Sequence, residues 1–214
     1  MILRILRPAR QAGWVALVSA AVVSVACSGS STLVPATYIA ATVGPGTNGT
    51  ICNLGVTQQW LDIGTYKSKL PSLQNDGSTL EGNAVDVSCT VATSGNGFDL
   101  ALSATEEGNA GASLVIVSPS GQGAVTQSGG SGITGVFQSG ANGDYRETDC
   151  TIAFTYNGEV VPNVPPIAAG RVWGHLSCPH AQQSGQTKPN PDGGAAVAEQ
   201  CDAEADFLFQ DCAQ

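Results

Sequence analysis

The sequence predicts an all-β protein, an antiparallel β-sandwich stapled by three disulfides, and three observations carry that prediction. Apolar and polar residues alternate with period two in several short runs, most clearly Val85, Val87, Cys89 and Val91 against Asp86, Ser88 and Thr90. The runs are separated by turn-forming clusters drawn from 27 glycines and 11 prolines, with no long helical period between them. Beyond residue 50 the chain also holds six cysteines, Cys52, Cys89, Cys150, Cys178, Cys201 and Cys212, an even set suited to three disulfides in an oxidising compartment. Six cysteines allow fifteen pairings, and the count selects none.

Ahead of this β region, Arg4, Arg7 and Arg10 precede the apolar run Ala12 to Cys27, which ends Ser24-Val25-Ala26-Cys27. A basic start, an apolar core of about fifteen residues and small residues at the end are the layout of a secretory signal, too short for a comfortable membrane-spanning helix. The end of the run resembles the lipobox of bacterial lipoproteins, with Ser24 where Leu or Val is usual. The resemblance implies cleavage before Cys27, acylation of its sulfur, and anchoring through the acyl chains on the outer side of a bacterial membrane. It also accounts for the odd seventh cysteine.

The expected layout is therefore residues 1–26 as signal, 27–50 as an acylated Cys27 with a Gly/Ser/Thr/Pro-rich tether, and 51–214 as one β domain. Leu33, Val34, Tyr38, Ile39 and Val43 are too apolar for a pure spacer, so part of the tether can add a strand. Removing the signal leaves 188 residues, with five Lys and Arg against seventeen Asp and Glu, a net charge of −12. That balance opposes binding to nucleic acid and lying flat on anionic lipid, since both need a basic face.

Taken in order, Thr57 to Gly64 reads as a strand with Trp60 in the core, and Asn75-Asp76-Gly77 as a turn. The alternation from Val85 to Val91, the turn Ser94-Gly95-Asn96-Gly97 and the alternation of Phe98, Leu100 and Leu102 form a hairpin with Cys89 facing inward. Ala112 to Ser118, with Leu114, Val115, Ile116 and Val117, is a buried strand ended by Pro119, Gly121 to Gly132 a loop, and Ile133 to Gln138 a further strand. Cys150, Ile152, Phe154 and Tyr156 share one face, and Asn157-Gly158 signals a reversal. From Gly170 to Cys178, Val172, Leu176 and Cys178 lie on one side of a strand, and Arg171, Trp173, His175 and Ser177 on the other. Gln182 to Gly194 reads as a polar loop, Ala195 to Gln200 as a short helical turn, and Ala205 to Cys212 as the closing strand.

Three pieces, Val87-Ser-Cys-Thr-Val91 with the following Gly-Asn-Gly-Phe-Asp-Leu100, Gly170-Arg-Val-Trp-Gly174, and Phe207-Leu-Phe-Gln-Asp-Cys212, resemble the nineteen-kilodalton lipoprotein antigen family of mycobacteria. The resemblance implies a small lipid-anchored β domain in which Cys89 pairs with Cys212. The remaining pairs are then expected as Cys178 with Cys201, closing the polar loop, and Cys52 with Cys150.

Chemistry-bearing clusters are few. His175, Cys178 and His180 have a spacing that suits a metal, but zinc needs thiolate, and an oxidised Cys178 removes it. Glu106 with Glu107, and Asp144 with Glu147 and Asp149, are carboxylate groups that could suit glycoside hydrolysis or calcium, the latter best placed around Asp144 to Asp149, but adjacent acids near Gly-Asn turns are much more often solvated loop charge. There is no Gly-x-Ser-x-Gly, His-Glu-x-x-His or Cys-x-x-Cys. No cofactor, metal or catalytic residue is assigned. Arg171, Trp173 and His175 form the candidate binding surface, provided Trp173 is not core. The expected function is a non-enzymatic interaction or envelope-structural module whose partner is a protein or an envelope glycan. A small-ligand or carbohydrate binder is the alternative, and a hydrolase comes third.

Overall fold

The computed structural model describes residues 33–46, 52–67, 70–108, 111–155, 165–188 and 197–214. These form one compact unit beginning at Leu33. Its strands are β1 (Ala36–Gly44), β2 (Gln58–Ile63), β3 (Thr65–Lys67), β4 (Leu70–Ser72), β5 (Gln74–Asn75), β6 (Ser78–Leu80), β7 (Asn83–Ser94) and β8 (Gly97–Glu107). They continue as β9 (Ala112–Val117), β10 (Val125–Thr126), β11 (Gly129–Ser139), β12 (Gly143–Ala153), β13 (Ile167–Ala168), β14 (Arg171–Lys188) and β15 (Val197–Gln210). The protein is all-β, as expected.

One thirteen-stranded antiparallel sheet runs β2-β1-β15-β14-β12-β11, then through the lane shared by β9 and β10 to β8, β7 and β6, with β3 and β4 as a separate small hairpin. The sheet folds over as a sandwich, so that β2 packs across the core against β9 and β11. Trp60 of β2 meets Tyr145 of β12 edge to face, ring centroids 5.4 Å apart.

Two seams bring the ends of the sheet together. At the first, β5 pairs with the start of β1 while the Asp76-Gly77 turn reaches β7: Asp76 N donates to Pro35 O and Gly77 N to Val85 O, both at 2.8 Å, and Asp76 Oδ1 accepts from Val87 N at 2.8 Å. At the second, Asp211 takes a left-handed φ of 58° and turns the chain out of β15, so that Ala213 lies beside Thr90 in a parallel bridge. Ala213 and Cys89, then Val91 and Ala213, exchange backbone hydrogen bonds, both 2.9 Å long. The exposed edge of β7 is thereby covered.

The hairpin of β7 and β8 appears in the expected register, Cys89 opposite Leu102 and turning inward. The strand at Trp60, the strand at Leu114 and the closing strand are also present. Four expectations change. First, the tether gives up β1, because Ile39, Ala41 and Val43 are core residues paired in register with β15 on one side and β2 on the other. The folded unit starts at Leu33 rather than at residue 51.

Second, the loop expected at Gly121 to Gly132 contains β10 and the start of β11, because glycines admit the close approach of neighbouring strands there: a Cβ on Gly129 would lie 2.5 Å from Ile152 O. Third, β14 continues through the polar residues Gln182 to Lys188, which pair with β15 down to Lys188 opposite Val197. Fourth, Val197 to Gln200 are strand and not helix, since Glu199, Cys201, Ala203, Ala205, Phe207 and Phe209 keep one inward-facing period. The predicted turn at Asn157-Gly158 and residues 189–196 of the predicted loop lie outside the described residues, as does Cys27.

All six cysteines beyond residue 50 are bonded, as Cys52–Cys201, Cys89–Cys212 and Cys150–Cys178. The pair implied by the family resemblance is found and the other two expectations are not. Pro179 in β14 explains the difference. It has no N–H to give the ladder, and a bulge follows: Cys178 faces Ala203, while Ala181 faces Cys201. Cys178 and Cys201 are thus out of register on neighbouring strands. Cys178 instead lies across from Cys150, one step beyond the Thr151–Ser177 pair, with their Cα atoms 4.5 Å apart.

Candidate functional site

The predicted surface residues Arg171, Trp173 and His175 do share the outer face of β14, since Val172, Leu176 and Cys178 fill the core on the inner one. Their surroundings differ from an open platform. Tyr38, Leu208 and Trp173 stand side by side on β1, β15 and β14, and with Phe154, Leu73 and Ala40 they make a second, smaller apolar cluster on the outer side of the sheet. Trp173 is 7% exposed, tilted against Phe154 at 6.1 Å, and its Nε1 has no acceptor among the described residues. An aromatic ring that stacks on a sugar has to be open to it, and this one is covered.

One step further along the same face, His175 Nδ1 and Asp206 Oδ1 are 3.0 Å apart and both side chains are partly buried. The hydrogen bond to Asp206 holds the imidazole above its ordinary pKa, against the opposing effect of burial, with the charges of Asp206 and Glu204 helping. His180 sits in the Pro179 bulge, where its backbone N–H, left without a strand partner, donates to Glu147 Oε2 at 2.7 Å. Burial beneath the bulge pushes the Glu147 carboxyl up, opposed by that hydrogen bond. The His175 and Cys178 side chains are therefore engaged by separate partners, Asp206 and Cys150, while His180 meets Glu147 through its backbone.

Asp144, Glu147 and Asp149 are not gathered into a cage either. Among the described residues, only two groups bring three possible ligand atoms together: Glu147 with Cys150 and Cys178, and Glu199 with Cys52 and Cys201. In both, the sulfurs are bonded to each other and offer no thiolate. Glu106 accepts from Asn83 Nδ2 at 2.8 Å across the mouth of β7 and β8, and Glu107 ends β8 opposite Ala84. Asp99 serves the 121–123 turn, accepting from Gly121 N at 2.5 Å and Gly123 N at 2.9 Å, which holds its carboxyl below the usual range.

The most buried acidic side chain among the described residues was not singled out from the sequence. Glu199 is fully enclosed, and its Oε1 accepts from Asn53 N at 2.5 Å and from Tyr145 OH at 3.1 Å, while Oε2 accepts from Asn53 Nδ2. Burial, and then the neighbouring Glu199, push the Tyr145 phenol up to about 12. Three elements meet at this carboxylate: β12 through Tyr145, β15 through Glu199 itself, and the segment ahead of β2 through Asn53. The adjacent Cys52–Cys201 disulfide ties the first residue of that segment to β15. The missed signal was the inward period of β15 extended back through Cys201 to Glu199.

Comparison with protein-family models, with curated proteins and with solved structures finds no match to this chain.

Proposed function

We propose that the protein is an exported bacterial lipoprotein, anchored by acyl chains on Cys27 to the outer side of a membrane and acting there as a non-enzymatic interaction or envelope-structural module. The observation that carries this reading is the cysteine balance. The three disulfides use every cysteine except Cys27, the residue that ends the lipobox-like Ser24-Val25-Ala26-Cys27. Three disulfides also fit an oxidising compartment outside the cytoplasm. Acyl chains contribute about 0.8 kcal/mol per buried CH₂, so two or more make a stable anchor without a spanning helix.

The module part of the reading rests on what the titratable side chains do. His175, Glu147, Glu199 and Asp99 each hold a neighbouring strand or turn in place. The covered Trp173 weighs against the carbohydrate-binding alternative.

Mass spectrometry of the protein isolated from membranes, without reduction, tests the anchoring. The expected product begins at a lipid-modified Cys27 and is six hydrogens lighter than its fully reduced form. Replacing Cys27→Ser should release the protein from the membrane fraction. A chain that keeps residues 1–26, or a free Cys27 thiol in the membrane-bound protein, would overturn the proposal.

A further inference from the structure

The three disulfides differ in how a reagent can reach them. Cys150 and Cys178 are both 0% exposed, and Cys89 and Cys212 are each 5% exposed, so neither bond offers an open sulfur. Cys52 is partly exposed while its partner Cys201 is fully buried. The bonds also differ in what they hold. Cys150–Cys178 joins two strands that are already paired, and Cys89–Cys212 reinforces the bridge between Thr90 and Ala213. Cys52–Cys201 instead holds a strap, Cys52 to Thr57, that belongs to no strand.

Among the described residues the strap has few other attachments, and Thr57 lies close against Gly44 of β1 at its end. Cys52 and Leu54 are partly buried against the core, but Asn53, Gly55, Val56 and Thr57 are exposed, with Val56 at 64%. Its polar holds on the body, among the described residues, are Asn53, whose backbone N–H and side-chain amide both donate to Glu199, and Gln58 Nε2 of β2, which donates to Val56 O at 3.4 Å. Beneath it lie the Glu199 carboxylate and the Tyr145 hydroxyl, with Trp60 packed on the Tyr145 ring and its own Nε1 buried without an acceptor among the described residues.

We propose that the Cys52–Cys201 disulfide is a thiol-exchange site, attacked at Cys52 by a small external thiol, and that opening it frees the Cys52–Thr57 strap from Glu199. In the first step an external thiolate attacks Cys52 Sγ. The Cys52–Cys201 bond breaks, a mixed disulfide forms on Cys52, and Cys201 leaves as a thiolate that takes a proton from water. A second molecule of the thiol then attacks the sulfur of the first, the bond to Cys52 breaks, and Cys52 leaves as a thiolate that takes a proton from water. Two external thiols are oxidised to one disulfide, and the protein gains two thiols.

Glu199 slows this exchange. Cys201 Sγ lies 3.7 Å from Glu199 Oε1, so the leaving sulfur would develop negative charge beside a buried carboxylate. A leaving thiol whose ionisation is opposed departs slowly. The site has its one partly exposed cysteine at Cys52 and is restrained at Cys201, and once reduced the Cys201 thiol can donate to Glu199.

The test uses the purified protein with any free thiol capped first by one alkylating reagent, so that Cys27 is not counted. Limiting small thiol is then added, new thiols are trapped with a second reagent, and the peptides are mapped by mass spectrometry. Cys52 and Cys201 should carry the second label before any other cysteine, and Glu199→Gln should speed their labelling several-fold. First labelling at Cys89 and Cys212 or at Cys150 and Cys178, or labelling of all six together, would overturn the exchange site.

Hydrogen exchange on the C52S/C201S double variant tests the strap. Faster exchange at Asn53 and in residues 54–57, with β7, β8 and β11 unchanged, is the expected result. Protection equal to that of the parent protein would overturn the strap's release. Neither measurement depends on the state of Cys27, so failure of the anchoring proposal would leave both outcomes readable.

Discussion

At the scale of single residues, Tyr145 and Glu199 show how a buried charge is kept in a small β protein. A carboxylate removed from water costs several kcal/mol unless donors replace its hydration, and Glu199 has three of them, from Asn53 and Tyr145. Tyr145→Phe should therefore lower stability by about 1–3 kcal/mol in a urea titration while keeping the packing on Trp60. The raised phenol has its own signature. Because its folded pKa lies near 12, above the ordinary 10.0, the folded state keeps the proton longer than the unfolded chain does. Its contribution is whole below pH 10 and lost as pH rises toward 12, so an ultraviolet titration should show one tyrosine ionising late or only on unfolding.

His175 follows the same sign at a milder pH, since its pKa is raised by Asp206. The pair contributes below pH 6.5 and loses its effect as pH rises through the folded value. Both side chains are partly open to solvent, so His175→Asn should cost under ~1 kcal/mol at pH 5.5 and nearly nothing at pH 9, read as melting temperature against pH. None of these partnerships was legible in the sequence. Asp206 lies 31 residues from His175 and Glu199 lies 146 from Asn53; strand pairing brings the first two together, and the Cys52–Cys201 disulfide holds the second two.

At the scale of elements, the alternating runs were legible because a strand with one buried face repeats every two residues whatever it pairs with. The hairpin of β7 and β8 needed nothing more. The extension of β14 to Lys188 was not legible, because those residues pair with β15 without an apolar alternation to mark them. The β6–β7 hairpin turns through Glu81 and Gly82, both at positive φ (52° and 91°), a two-residue loop whose first position suits Asn better than Glu. Glu81→Asn should stabilise the protein by about 0.5–1 kcal/mol in thermal unfolding.

Gly135 of β11 acts across elements. A Cβ there would come within 2.7 Å of Cys178 Sγ and 3.0 Å of Cys150 Sγ, so the glycine makes the space in which that disulfide lies. Gly135→Ala should cost about 1–3 kcal/mol by overpacking, measured by denaturant midpoint. The glycine is one of 27 in the chain, and the sequence had no means of distinguishing it.

At the scale of the whole molecule, the two seams matter most, because they cover strand edges that would otherwise be open to pairing with other chains. The C-terminal seam combines the turn at Asp211, the bridge of Ala213 to Thr90 and the Cys89–Cys212 bond, which spans a sequence separation of 123. Replacing both cysteines with Ser should lower stability by roughly 3–5 kcal/mol by the loop-closure argument, and should raise hydrogen exchange at Val91 first. By itself the sequence determined the all-β class, most strand positions, the inward set of each clear strand and the presence of three disulfides, since periodicity, turn chemistry and an even cysteine count are local or countable properties. Only the tertiary structure decided where the tether ends, which cysteines meet around the Pro179 bulge, that Trp173 is covered, and that Glu199 is enclosed. Those outcomes depend on register and on which strands become neighbours, and both are set by contacts between residues far apart in the chain.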